Sequence, residues 1–202
     1  MTRAEDGKTT ATATRAVVVG GSAGAFQAFR TILGALPEHL PFPLVLVLHQ
    51  LPTRESLLPR LIAASCRLKV SSCVDKERLV ADTIYIAPPG YHLLVEREGT
   101  LAFSEDAPEN YSRPSIDVLF ESAAEAYHEG LLAVLLSGAN HDGARGLRAV
   151  QAAGGRVIVQ DPASADSERM PRAGLAAVTP DAVLSPEGIG AHLAGLVGQP
   201  PS

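Results

Sequence analysis

The stretch Ala16-Val17-Val18-Val19-Gly20-Gly21-Ser22-Ala23-Gly24-Ala25-Phe26 decides the fold. A valine-rich run that ends in glycines is how a buried parallel strand hands over to a helix. Beyond the turn, Phe26, Phe29, Leu33 and Leu36 recur at helical spacing, and Ile32 widens the same apolar face. Gly20-Gly21-Ser22-Ala23-Gly24 also fits G-x-S-x-G, the nucleophile elbow, in which small neighbours let a sharp turn expose a serine oxygen at a helix N-terminus. Free N–H groups and the helix dipole there favour developing negative charge. Ser22 could equally be a small turn residue, so the elbow needs chemical companions before it implies catalysis. Two phosphate-binding readings fail. The dinucleotide fingerprint meets Ser22 or Ala23 where its second glycine belongs, and Gly7-Lys8-Thr9 has Thr2 in place of the first glycine of a P-loop, with no strand before it.

Outward from this segment the chain alternates. Pro43 to Leu48 is a continuous apolar run, the pattern of a strand covered on both faces, and it ends in His49-Gln50-Leu51-Pro52. Arg54 to Ala64 reads as a helix that Pro59 shortens or delays. Strands are expected at Lys69 to Val74 and Thr83 to Ala87, then a hairpin from His92 to Glu96 and Thr100 to Ser104, added to the sheet. Glu105 to Arg113 has no periodicity, and Pro114 suits the first turn of a helix whose face is Ile116, Leu119, Phe120, Ala123, Ala124 and Tyr127. Leu131 to Leu136 and Arg156 to Gln160 are further strands, joined through the turn Ser137 to Gly143 and a helix carrying Leu147 and Val150. A polar loop is expected through Met170-Pro171, and Pro186 opens a last helix near Ile189, Leu193 and Leu196. The result is an α/β domain, Rossmann-like, with a mainly parallel sheet and helices on both faces.

At 202 residues and 46% hydrophobic content the chain can bury one sizeable core. Residues 1–14 read as a short disordered tail and 15–198 as the domain. A net charge of -5 without any basic run argues against nucleic acid as a partner, and no apolar stretch is long enough for a membrane span or a signal peptide. Two cysteines, Cys66 and Cys73, fit reduced thiols of a cytoplasmic protein.

In parallel α/β sheets ligands bind beyond the carboxyl ends of the strands. Ser22, His49 and Asp142 fall there. A hydroxyl needs an adjacent base, and the base needs a third group to fix its tautomer. Each has a plainer reading: His49 as a hydrogen-bonded histidine at a strand end, Asp142 as the N-cap of the helix after Gly143. Asp161 competes for the acid role and His141 for the base. His39, His92, His128 and His192 lie in polar surroundings without ligand-like spacing, so neither a metal nor an organic cofactor is expected.

Four segments carry a resemblance. Val19-Gly20-Gly21-Ser22-Ala23-Gly24, His49-Gln50-Leu51-Pro52, Arg113-Pro114-Ser115-Ile116-Asp117-Val118-Leu119-Phe120 and Leu136-Ser137-Gly138-Ala139-Asn140-His141-Asp142-Gly143-Ala144 are similar to the catalytic domain of CheB-type protein-glutamate methylesterases. The resemblance runs from about Ala16 to Leu196. It implies hydrolysis of γ-glutamyl methyl esters on the cytoplasmic helices of chemoreceptors or a similar methylated signalling protein, with Ser22 as nucleophile, His49 as base and Asp142 as orienting acid. It further implies Ala23 and Ala139 as backbone oxyanion donors, Arg113 as a substrate-binding residue, and a cognate methyltransferase or kinase among the partners. Ala139 departs from the methionine usual in the family. A second departure is the tail of 14 residues, too short to be the receiver domain that commonly precedes these enzymes, so a stand-alone esterase is expected. A non-catalytic signalling module of the same fold and a small-molecule esterase are the alternatives.

Overall fold

Every residue of β1 (Ala16–Gly21) is buried, because its two faces are both covered. Ala16 and Val18 join one apolar cluster while Val17 and Val19 join the other, the alternation that a pleated strand imposes. The computed structural model describes residues 12–49 and 56–198. After β1 come α1 (Ala25–Ala35), β2 (Leu44–Leu48), α2 (Leu58–Ala63), β3 (Lys69–Ser72), β4 (Thr83–Ile86), β5 (His92–Val95), β6 (Leu101–Ser104) and α3 (Ile116–Tyr127). They are followed by β7 (Leu131–Leu135), α4 (Ala144–Ala152), β8 (Arg156–Gln160), α5 (Arg169–Ala177), β9 (Ala182–Leu184) and α6 (Pro186–Gly195).

Seven strands form a sheet in the order β3-β4-β2-β1-β7-β8-β9, with every pairing parallel. Phe29, Ile32, Ile62, Ile189 and Leu193 from α1, α2 and α6 cover one face. Ile116, Leu119, Phe120, Leu147, Val150 and Met170 from α3, α4 and α5 cover the other. Burial of such a side chain is worth about 1.5–3 kcal/mol, so the two layers lock the sheet between them. From β1 the chain moves to β2 on one side, whereas β7 lies on β1's other side and leads away to β8. The carboxyl ends of β1 and β7 therefore mark the switch point at which a crevice opens.

Several expectations need adjustment. The hairpin forms, but β5 and β6 make their own two-stranded antiparallel sheet, packed on α3 by Leu93, Val95 and Leu101 instead of extending the parallel sheet. The polar loop expected through Met170-Pro171 is the start of α5, which buries Met170, Pro171 and Gly174. Proline is tolerated in a helix's first turn, where its missing N–H has no partner to lose. Pro114 stands outside α3, whose N-cap is Ser115, and follows a cis peptide bond from Arg113. β9 was not expected, since three residues are too few for a visible alternation. The six α3 residues of the expected apolar face are all buried, and α2 starts late, as Pro59 suggested. Apart from 12–14, the expected tail lies outside the described residues, as do Gln50-Leu51-Pro52.

The sheet and α3 approach closely at one point. A Cβ placed on Gly20 would stand 2.3 Å from Ile116 Cγ2, so the residue two before Ser22 has to be glycine for α3 to sit where it does.

Candidate active site

Ser22 leaves β1 at the turn into α1, and Gly24, with φ at 78°, makes that turn in the left-handed region glycine favours. The register that pairs Gly21 with Leu48 brings Ser22 opposite His49, one strand spacing away, about 4.8 Å. The His49 N–H donates to Gly21 O at 3.0 Å, continuing the ladder to the last residue before the site. On the other side the Ser22 N–H donates to Ser137 O at 2.9 Å. Ser22, His49 and the loop after β7 are thus set side by side by three adjacent strand ends. No hydrogen bond joins Ser22 Oγ to His49 among the described residues.

Asp142 is fully buried and its carboxylate reaches back to His49, Oδ2 to Nε2 at 2.8 Å. It also accepts from the N–H groups of Ile116 at 2.7 Å and Asp117 at 3.1 Å, from Ser115 Oγ at 2.8 Å, from Asn110 Nδ2 at 2.9 Å and from the Gly143 N–H at 3.1 Å. The cap reading of Asp142 is therefore partly right, on a different helix. The N-cap of α4 is Gly143, while the Asp142 carboxylate sits at the N-terminus of α3, where amides and dipole stabilise negative charge. Burial pushes this carboxyl up, yet the hydrogen bonds from His49, Ile116 and Asp117 outweigh it and hold its pKa at about 2. Asp142 is then ionised at neutral pH and can only accept, so the hydrogen on His49 resides on Nε2 and the lone pair on Nδ1.

Asp161 does not reach His49. It caps the short turn after β8, accepting from the Ala163 N–H at 2.9 Å. His141 is exposed. His92, by contrast, is buried, not in polar surroundings: Nε2 meets Ala107 O at 3.1 Å and Nδ1 accepts from the Ser115 N–H at 3.2 Å. It ties the 105–113 loop to the start of α3. That loop holds the residues that sequence reasoning missed. Asn110 donates to both Asp142 and Asp117, each at 2.9 Å, and Ser112 Oγ lies 3.3 Å from His49 Nδ1. Burial, and then the nearby Asp142 charge, raise the Asp117 carboxyl despite its hydrogen bonds from the Gly146 N–H and Asn110. An asparagine in a polar loop is a turn signal, and nothing in linear spacing pairs it with Asp117 and Asp142 together.

The backbone N–H groups of Ala23 and Ala139 have no acceptor among the described residues. Their loops are nonetheless pinned: Ser137 Oγ donates to Ala23 O at 2.6 Å, and Gly138 N–H donates to Ser167 O at 3.1 Å. Arg113 spends Nη1 on the carbonyls of Glu105 and Asp106, at 2.7 and 2.9 Å. It still lines a cavity of about 250 Å³ together with His49, Gly90, Pro108, Tyr111, Ser112 and Pro114. No group of three His, Cys, Asp or Glu able to hold a metal ion occurs among the described residues.

Residues 17–193 match the model of the CheB methylesterase family. The chain belongs to that family. The crystal structure of the Thermotoga maritima CheB methylesterase catalytic domain superposes on this CheB methylesterase chain with a TM-score of 0.86 and 30% identity, over 92% of this chain and 100% of that one. A Leptospira interrogans protein, provisionally named protein-glutamate methylesterase/protein-glutamine glutaminase, is 43% identical over 174 residues, which cover 86% of this chain and 90% of the relative. A protein-glutamate methylesterase/protein-glutamine glutaminase of Rhodopseudomonas palustris is 36% identical over 191 residues, 92% of this CheB chain but 49% of its own length.

Proposed function

We propose that this chain is a protein-glutamate methylesterase that removes methyl esters from glutamate side chains of a chemoreceptor-type signalling protein, releasing methanol. The observation that carries the reading is the bond from His49 to the buried Asp142 carboxylate, with His49 directly across the strand end from the elbow serine.

In the proposed course Ser22 Oγ attacks the ester carbonyl carbon as its proton passes to His49 Nδ1. Asp142 keeps the ring in the Nε2–H tautomer and stabilises the imidazolium that forms. The negative charge arising on the carbonyl oxygen falls to the Ala23 and Ala139 N–H groups, donors of a kind worth about 2.7–4 kcal/mol apiece elsewhere. Collapse expels methoxide, which takes the proton from His49 and leaves as methanol. Water, deprotonated by His49, then cleaves the acyl-enzyme and restores the carboxylate and Ser22. The relatives' names add glutamine deamidation, which the same steps achieve with ammonia as the leaving group.

Arg113 joins this proposal as a substrate-binding residue: it lines the cavity, and the nitrogens other than Nη1 are available to carbonyls or carboxylates. Residues 15–198 are the proposed catalytic unit, working in the cytoplasm, with a methyltransferase or kinase of the same circuit as further partner. No helix of the described residues is long and apolar enough to cross a membrane.

The test is methanol release from a methylated receptor fragment by the purified chain. Release that disappears in Ser22→Ala supports the reading. Turnover of a small aryl ester with none on the receptor fragment favours a small-molecule esterase, and no turnover of either favours a binding module.

A further inference from the structure

The turn that carries Asn110 is a tight hairpin. Glu109 and Ser112 exchange both backbone hydrogen bonds, at 3.1 and 2.8 Å, and the two residues between them, Asn110 and Tyr111, have φ of 50° and 62°. Two positive φ values in a two-residue loop define a type I′ turn, whose preferred sequence is Asn-Gly. Asn110 fits. Tyr111 stands where glycine belongs, in a conformation that is an outlier for a bulky side chain.

Nothing among the described residues compensates it. Tyr111 is 102% exposed, so its ring gains no burial on folding, and it stacks on no ring or cation among the described residues. Its neighbours are nevertheless held hard: Asn110 by two buried carboxylates and Ser112 by the His49 ring. A strained turn on a rigid base thus displays an aromatic ring on the rim of the cavity that contains the catalytic base. Tyrosine in such a place offers a large apolar contact with a polar tip and little side-chain entropy to lose, the character of an interface anchor.

We propose that Tyr111 is a specificity-determining contact for the protein substrate, its ring packing on the segment that carries the esterified glutamate. The inference rests on the methylesterase reading above. It separates recognition from chemistry: a small ester fills only the reacting site, whereas a protein segment extends across the rim and meets the ring.

The experiment compares wild type, Tyr111→Gly and Tyr111→Phe on a methylated receptor fragment and on a small aryl ester, with thermal melts. Glycine suits the turn, so Tyr111→Gly is expected to keep or raise the Tm while kcat/KM on the receptor fragment falls about tenfold or more. Its small-ester turnover should stay within about twofold of wild type, and Tyr111→Phe should keep most of the receptor activity. A Tyr111→Gly variant with unchanged receptor activity, or with equal losses on both substrates, overturns the proposal. A wild-type chain that cleaves the small ester but releases no methanol from the receptor fragment overturns the methylesterase reading, and this inference with it.

Discussion

Ser112 Oγ lies 3.3 Å from His49 Nδ1, the ring nitrogen left free by the 2.8 Å contact between Nε2 and Asp142. In the proposed mechanism that nitrogen takes the Ser22 proton, so the two hydroxyls compete for one lone pair. Ser112→Ala removes the competitor without touching the acid. We expect its kcat on a small ester to stay within about threefold of wild type or to rise. A loss of about tenfold or more would instead make Ser112 a required orienting group for the imidazole.

Ser22→Ala should lower kcat by about 10⁴ or more, because members of a triad act as a unit. The substitution exchanges one small turn residue for another, so the melting curve should be that of wild type. Retention of most esterase activity in the purified variant would remove Ser22 from the nucleophile's role.

Asp142→Asn should affect rate and stability together. The amide supports the wrong tautomer of His49, at a cost of up to about 10⁴ in kcat. Its NH₂ group must also face donors that the carboxylate now satisfies, such as the Ile116 and Asp117 N–H groups, costing about 1–3 kcal/mol. Asp161→Asn, which loosens only the short turn after β8, should leave kcat near wild type. Steady-state kinetics that rank the two variants the other way would reassign the acid.

The depressed pKa of Asp142 also predicts an acid limb of stability. Its folded value, about 2, lies below the ordinary 3.8, so its contribution is complete above about pH 4 and is lost as pH falls through about 2. At 1.36 kcal/mol per unit the difference is about 2 kcal/mol. Asp117 works in the opposite sense, since its raised pKa makes protonation easier in the folded chain and offsets part of the loss. Urea midpoints measured from pH 5 to pH 2 should fall more steeply for wild type than for Asp142→Asn. Parallel curves would contradict the assignment.

The sheet and most of the helices were readable in advance because they follow from linear signals, whereas the choice of His49 and Asp142 over His141 and Asp161 came from the family resemblance and not from spacing. Unbroken apolar runs became β1, β2 and β7, a 3.6-residue stripe became α3, and strand ends located the reactive residues. The misreadings share one cause. Met170 and Pro171 look like loop in isolation, and only tertiary burial against the sheet makes them helical. His92, Asn110 and Ser112 act through side-chain hydrogen bonds to groups outside their own turn or strand, and a loop without periodicity gives no hint of such partners.

Gly20 never touches a reacting atom, yet the site's alignment is borne by the space it leaves. The first turn of α3 rests on that bare backbone, Asp142 is latched to the same turn, and His49 is latched to Asp142. One methyl group at position 20, meeting Ile116 Cγ2 at 2.3 Å, would act as a wedge. The displacement would travel along this linkage to the imidazole, leaving a folded protein whose chemical parts are all present and out of true.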